Sequence, residues 1–341
     1  MTFLGTEVPI VQAPMAGSQG SALAIAVGNA GGLGSLPAAM LDVAGLRAEI
    51  EAVRAGTAAP YNVNFFCHEP PEPNPERERV WRTALAPYFA EYGIDPSGIV
   101  AGRGRTPFSA EAADLLDVLR PPFVSFHFGL PSAELLARVR ATGAKILGSA
   151  TTVEEARWLE ARGADGIVAQ GLEAGGHRGH FLSDDLTRQP GTFALLPQIV
   201  RAVRVPVIAA GGITDRATAA AALALGASAV QVGTAYLLCP EATTSAVHRA
   251  ALGSADAQHT ALTNLFSGRP ARGIVNRLMR ELSPLSDRPP AFPLASIALA
   301  PLRAKAEAAR RGDFSPLWAG QNVSGCSTAP AGEVTRRLAG V

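Results

Sequence analysis

The chain has 341 residues, of which 48% are apolar and 17% charged, with a formal net charge of +1. Such a composition can fill a sizeable core and sets global disorder aside. Interspersed, nearly balanced charge offers neither a nucleic-acid groove nor a patch for an anionic membrane.

The opening residues Met1–Pro9 lack the basic start and apolar run of a signal peptide. The most apolar window, Ala217–Val230, is too short and too small-sided to span a bilayer. Cys67, Cys239 and Cys326 lie far apart in no CxxC spacing. That argues against a disulfide framework and a zinc site, and predicts a reducing, cytoplasmic setting.

Short apolar runs alternate with helical ones up to about residue 240. The predicted strands are Pro9–Ala13, Gly32–Leu36, Tyr61–Phe66, Phe123–Phe128, Ala144–Ser149, Gly166–Gln170, Val205–Ala210 and Ala229–Gly233. Helices are predicted over Ser21–Asn29, Asp42–Ala55, Ser132–Ala141, Val153–Arg162, Phe193–Ala202 and Thr214–Leu225. Thr152 ahead of Glu154 and Glu155 reads as an N-cap, and Gly163 as a stop. Eight such units predict an α/β fold, a (β/α)8 TIM barrel whose strands are covered on both sides. A barrel takes roughly 250 residues, so the rest is inserted or appended. The proline-rich run His68–Pro75, with a charged helix from about Glu76 to Tyr92, forms one excess segment after the third strand. The tail after Leu238, with helices near Thr243–Leu252 and Pro301–Arg311, forms the other. We expect a barrel from 1–67 and 121–240, and a smaller lid or substrate domain from 68–120 and 241–341.

Catalytic chemistry in such a barrel sits at the carboxyl ends of the strands. The turn Gln12-Ala13-Pro14-Met15-Ala16-Gly17 leaves a smooth surface that suits one face of a flat ring, or is an ordinary loop. On the third strand Asn62, Asn64 and Phe66 point inward; on the fourth, Phe123, Ser125 and His127 do. Asn62 suits hydrogen bonding within a barrel layer. Asn64 and Gln170 suit a ligand, and His127 fits either role. The segment Gln170-Gly171-Leu172-Glu173-Ala174-Gly175-Gly176-His177-Arg178-Gly179-His180 brings bare backbone and a histidine to the mouth, where a histidine is readily set up as acid or base. Glu173 and Arg178 read as local salt partners, and a His177–His180 metal pair is disfavoured by the glycine-rich loop. After the seventh and eighth strands, Gly211-Gly212-Ile213-Thr214-Asp215 and Gln231-Val232-Gly233-Thr234 offer free amides for a phosphate.

The strings Gln12–Gly17, Asn62-Val63-Asn64-Phe65-Phe66-Cys67, Ser125-Phe126-His127-Phe128-Gly129, Gln170–Gly179, Gly268–Gly273 and Leu317–Gln321 together resemble the nitronate monooxygenases (2-nitropropane dioxygenases) of the bacterial class I kind. The resemblance implies an FMN-bearing barrel that oxidises alkyl nitronates, such as propionate 3-nitronate, with O2 to an aldehyde or keto product and nitrite, without NAD(P)H. It implies that FMN is held by the turn from Gln12 through Ala13 and Pro14 to Met15, by Asn64, Gln170, Gly175 and Gly176, and by Gly211, Gly212, Gln231, Val232, Gly233 and Thr234. His177 matches the family's active-site histidine, with His127 assisting the anion. The expected partners are a nitronate or nitroalkane and O2; no metal, nucleic acid or membrane is expected, and a homo-oligomer is compatible with the sequence. The rivals are an NAD(P)H-dependent flavin reductase of the enoyl-ACP or quinone reductase kind on the same scaffold, a non-catalytic flavin- or phosphate-binding barrel, and a cofactor-free phosphosugar isomerase.

Overall fold

The protein is described by a computed structural model that covers residues 3–99 and 104–341; Met1 and Thr2 of the opening stretch, and 100–103 of the first inserted segment, lie outside the described residues. Six strands come first: β1 (Ile10–Gln12), β2 (Gly34–Pro37), β3 (Tyr61–Phe66), β4 (Phe123–His127), β5 (Lys145–Ala150) and β6 (Gly166–Gln170). A two-residue strand, β7 (Gly176–His177), follows, then β8 (Val207–Ala210), β9 (Ala229–Val232), β10 (Thr260–Thr263) and β11 (Ala271–Ile274). All strands except β7, β10 and β11 form one parallel sheet in the order β1-β9-β8-β6-β5-β4-β3-β2. The sheet closes where Leu33 N donates to Ile10 O at 2.8 Å and Gln12 N donates to Leu33 O at 2.9 Å. The result is the expected (β/α)8 barrel, with all eight predicted strands present and their ends moved by no more than two residues.

The helices are α1 (Ser21–Asn29), α2 (Val43–Gly56), α3 (Pro75–Glu91), α4 (Ala110–Leu119), α5 (Ala133–Ala141), α6 (Val153–Ala161), α7 (Thr192–Ala202), α8 (Arg216–Ala224), α9 (Ala246–Leu252), α10 (Arg277–Leu282), α11 (Ala295–Ala308) and α12 (Ala331–Ala339). Most of their starts follow capping chemistry, with α1, α7, α11 and α12 lacking a side-chain cap. Thr152 accepts from Glu155 N at the head of α6, and Asp215 and Thr218 form a reciprocal capping box on α8.

The period-2 reading of β3 holds. Tyr61, Val63 and Phe65 enter the cluster shared with α2 and α4, while Asn62 and Asn64 turn inward. Inside the barrel, Leu4, Val11, Leu33, Phe123, Leu147, Val168 and Ile208 fill the amino-terminal end. That plug leaves open space only toward the carboxyl ends.

Two helices inside the segments read as lid pack on the barrel. Helix α4 lies against α2 and α5, and its Ala112, Ala113, Leu115, Leu116 and Leu119 complete the apolar layer over β3 and β4. Helix α12 sits against α1 and α8, with Val334 and Leu338 in the layer over β1 and β9. The separate covering unit is built instead from α3, α10, α11 and the loop before β11, around Trp81, Leu85, Phe266, Leu278, Leu302 and Phe314. It meets the barrel through a small antiparallel sheet, β10-β11-β7, in which Ala271 pairs with His177 and Arg272 with Gly176.

Candidate active site

Every barrel strand, or the turn that follows it, contributes to the rim of one cavity. The space within it, counted out through its open mouth and so including solvent, is about 1350 Å3. Its lining takes Ala13, Pro14, Met15, Asn64, Gln170, Gly175, Gly176, Gly211, Gly212, Gln231, Gly233 and Thr234 from the predicted cofactor set, together with His127 and His177. Gln12 and Val232 do not reach it. Gln12 is fully buried beneath the turn: its amide donates to Gln19 Oε1 at 2.5 Å and accepts from Ser35 N at 3.0 Å. Gln19 in turn accepts from Met15 N at 2.9 Å. Gln12 therefore fixes the shape of the Ala13–Met15 floor from below. Val232 is on the opposite face of β9, in the layer against the helices.

The floor is polar in one band. Asn62 donates to Ser35 Oγ and Ser125 Oγ at 3.2 and 2.9 Å, the barrel-layer role expected for it. Asn64 donates to the same Ser125 Oγ at 2.8 Å. Its side-chain Oδ1 has no hydrogen-bond partner among the described residues, and Asn64 lines the cavity. Gln170 is more occupied than expected: its Nε2 donates to His177 O at 2.9 Å and its Oε1 accepts from Gly179 N at 2.7 Å. It clamps the histidine loop as well as lining the space.

At one end, backbone amides stand free. Among the described residues, Gly212 N, Ile213 N and Gly233 N donate to no backbone acceptor. Gly211 and Gly212 hold φ of +117° and +74°, and at Gly211 a Cβ would lie 2.8 Å from Thr192 Oγ1 and 3.0 Å from Ala174 N, so only glycine fits there. Unpaired amides at the ends of adjacent barrel strands are complementary to an anion. Asn322 steadies this end by donating to Gly212 O at 3.1 Å.

His177 forms another part of the wall. Strand pairing with Ala271 fixes its backbone, and its Nε2 lies 2.9 Å from Ser267 Oγ. Aromatic rings surround it, with centroids at 6.2 Å for Phe66, 6.2 Å for Phe128, 5.3 Å for Phe292 and 5.5 Å for Trp318. Burial in this box, with the positive charges of Arg105 and Arg269 nearby, holds its proton affinity well below the ordinary histidine value. The imidazole is therefore neutral at physiological pH.

His127 is also neutral, its pKa pushed down to about 3 by burial. Its Nε2 lies 3.1 Å from His177 O, so the neutral ring donates there. That donor is thus spent on the neighbouring backbone, where it holds the His177 carbonyl. Phe128 departs from the predicted helix-facing side. Its φ of +70° swings the ring up to the mouth, where it packs on Phe66 at 4.8 Å and beneath the Arg269 guanidinium at 4.2 Å.

Glu173 and Arg178 do not pair. Glu173 accepts from Thr192 N and Oγ1, whereas the fully buried Arg178 donates to Gly171 O, Gln170 O and Gln189 Oε1. His180 turns from His177 toward Asp184, at 3.5 Å. Four lining or supporting residues were not anticipated in their roles: Arg105, Ser267, Phe292 and Asn322. None lies in a strand, and Arg105 and Ser267, though next to Gly104 and Gly268, fall outside the glycine turns that the sequence reading ties to the cavity.

A closed barrel with a neutral buried imidazole and free amides lining one cavity defines a catalytic (β/α)8 enzyme. The chain matches the family described as nitronate monooxygenase over residues 1–339. It is 44% identical over 341 residues to the nitronate monooxygenase of Paraburkholderia phytofirmans, covering 99% of this chain and 93% of that protein. Among solved structures, nitroalkane oxidase from Streptomyces ansochromogenes superposes with a TM-score of 0.89 at 41% identity, covering 98% of this chain and 96% of that one. FabK from Thermotoga maritima superposes less well, with a TM-score of 0.71 at 26% identity, over 98% and 92%. The chain belongs to the nitronate monooxygenase family and is an oxidoreductase. Among the described residues no helix is long and apolar enough to cross a membrane.

Proposed function

We propose that this chain oxidises alkyl nitronates with O2, giving an aldehyde or keto product and nitrite, with FMN held across the barrel mouth. The observation that carries the reading is the presence of a neutral, aromatic-boxed His177 and an anion cradle of free amides in the lining of one cavity. The residues present fit such a group. Gly212, Ile213 and Gly233 amides would take its phosphate, the Ala13–Met15 floor would carry one ring face, and the free carbonyl oxygen of Asn64 would meet a ring-edge donor. Bound FMN would supply the electron transfer between nitronate and O2.

The chain's own residues do the rest. His177 Nε2, alternating between Ser267 and substrate, hydrogen-bonds the nitronate oxygens. In the other neutral tautomer, with Nε2 bare and accepting from Ser267 Oγ until substrate binds, it can instead remove the α-proton of a bound nitroalkane. His127 and Gln170 hold the His177 carbonyl from two sides, which fixes the imidazole relative to the floor. Phe66, Phe128, Phe292 and Trp318 exclude water and so strengthen those hydrogen bonds. The covering unit built on α3, α10 and α11 acts as a lid over this wall, and we place the protein in the cytoplasm on its reduced, scattered cysteines.

The test is anaerobic mixing of the FMN-loaded protein. Rapid loss of visible absorbance with ethylnitronate, and none with NADH, supports the oxygenase. Rapid loss with NADH alone would favour the reductase.

A further inference from the structure

The segment 318–326, which leads from the covering unit to α12, crosses the cavity where the amides stand free. It bonds to that end repeatedly. Asn322 Nδ2 donates to Gly212 O at 3.1 Å, Gly320 N donates to Thr234 Oγ1 at 3.0 Å, and Cys326 Sγ donates to Thr234 O at 3.1 Å. Between them Gln321 N donates to Glu173 O at 3.0 Å. The fit is close: a Cβ at Gly320 would lie 2.9 Å from Glu173 O, and one at Gly325 would collide with the Thr214 backbone. Gly320 and Asn322 themselves line the cavity.

Two of these bonds aim donors. The Gly212 carbonyl and the Ile213 N–H belong to one planar trans peptide, so they point in opposite directions. Holding Gly212 O on Asn322 therefore fixes where the free Ile213 N–H points, and polarises it as a donor. The Asn322 amide is itself oriented. Its Oδ1 accepts from Ser324 N at 3.1 Å and from Ser324 Oγ at 2.7 Å, which leaves Nδ2 for Gly212. Gly320 acts likewise on Thr234. Its N–H occupies one lone pair of Thr234 Oγ1, and among the described residues the hydroxyl has no acceptor for its own hydrogen. Thr214 adds a second such hydroxyl. It is 5% exposed, lines the same cavity, and its Oγ1 has no partner among the described residues. A buried hydroxyl left unpaired costs free energy that an incoming acceptor restores.

The free amides of Gly212, Ile213 and Gly233 and these two hydroxyls follow the adjacent strands β8 and β9. Such a donor set suits the terminal oxygens of a phosphate monoester. Resting on the FMN reading, we infer that segment 318–326 is a strap that shapes this cradle, and that Asn322 is its positioning residue for cofactor selection. By aiming the Ile213 amide, Asn322 makes the protein prefer FMN over riboflavin, the same ring without the phosphate.

The experiment titrates the cofactor-free parent, Asn322→Ala and Asn322→Asp with FMN and with riboflavin, read by flavin fluorescence. Losing one hydrogen bond at the cradle corresponds to about 2- to 13-fold. We expect FMN affinity to fall by about that factor in Asn322→Ala. It should fall further in Asn322→Asp, which keeps the side-chain shape but sets a negative oxygen against Gly212 O and the phosphate. Riboflavin, which the cradle does not hold, should change no more than about twofold in either variant. Equal weakening of FMN and riboflavin would make Asn322 a support of the cavity as a whole, and unchanged FMN affinity would detach the strap from the phosphate; both overturn the inference. If Asn322→Ala does not fold, the isosteric Asn322→Asp decides by the same comparison. Calorimetry of the cofactor-free proteins with inorganic phosphate reads the cradle without a flavin. Weaker phosphate binding in the variants supports the inference, and equal binding overturns it. Failure of the parent to take up either flavin would strike the functional reading instead, leaving the phosphate titration to decide the strap.

Discussion

Replacing His177 with Asn separates its two assigned tasks. Asparagine retains a hydrogen-bonding amide beside Ser267, which now lies 2.9 Å from Nε2, but cannot accept a proton at neutral pH. With a preformed nitronate only anion hydrogen bonding is altered, a loss of about 1–1.5 kcal/mol or roughly tenfold. With neutral nitroethane the general base is lost as well, for a further factor of about 10²–10⁴. The assay is nitrite release from ethylnitronate and from nitroethane, compared as kcat/KM. The parent enzyme's pH profile adds a second check. A base whose pKa is held below 6.5 stays unprotonated as pH falls, so the acid limb for nitroethane must lie below 6.5. Equal losses on the two substrates, or an acid limb above 6.5, would refute a proton-accepting His177.

Two further outcomes follow from the same geometry. A Cβ at Gly233 would sit 3.3 Å from Ala13 Cβ and 3.5 Å from Met15 Sδ, against the cavity floor; Gly233→Val should weaken FMN binding at least fivefold, the low end of an overpacking cost of about 1–3 kcal/mol, and unchanged flavin affinity by fluorescence titration would contradict the floor assignment. Burial lowers the pKa of His68 and His248 to about 4 and of His127 and His180 to about 3. As pH falls below 6.5 the unfolded chain takes up protons that the folded one refuses, so each histidine removes about 1.4 kcal/mol of stability per pH unit down to its folded pKa. Urea unfolding at pH 7.5 and pH 5.0 should show a marked loss at the lower pH, and equal stability would mean that these rings are solvated.

The barrel was legible because its signals are local. Apolar runs such as Val207–Ala210 and capped helices such as α6 declare themselves within a few residues. Helices α4 and α12 escaped assignment to the barrel because their partners, α2 with α5 and α1 with α8, are set by tertiary packing alone. The two-residue β7 is extended only because Ala271 and Arg272, far along the chain, pair with it. Glycines and the histidine loop marked most of the cavity, since close approach of backbone leaves a compositional trace. Gln12 misled because a polar residue on a strand end reads alike whether it faces ligand or, as here, stitches the turn to Gln19 and Ser35. Arg105 left no trace at all: it is one arginine in a loop, brought to the cavity because its neighbours Thr106 and Phe108 bond to Ala39 and Phe66 far back along the chain.

The central claim is nitronate oxidation at the His177 wall of this cavity, and nitrite formation tests it most directly. FMN-loaded protein in air-saturated buffer, given propionate 3-nitronate without NADH or NADPH, should consume O2 and release nitrite over many turnovers. Nitrite that stays at the level of a flavin-only control, or that appears only when a reduced nicotinamide is added, would contradict the account.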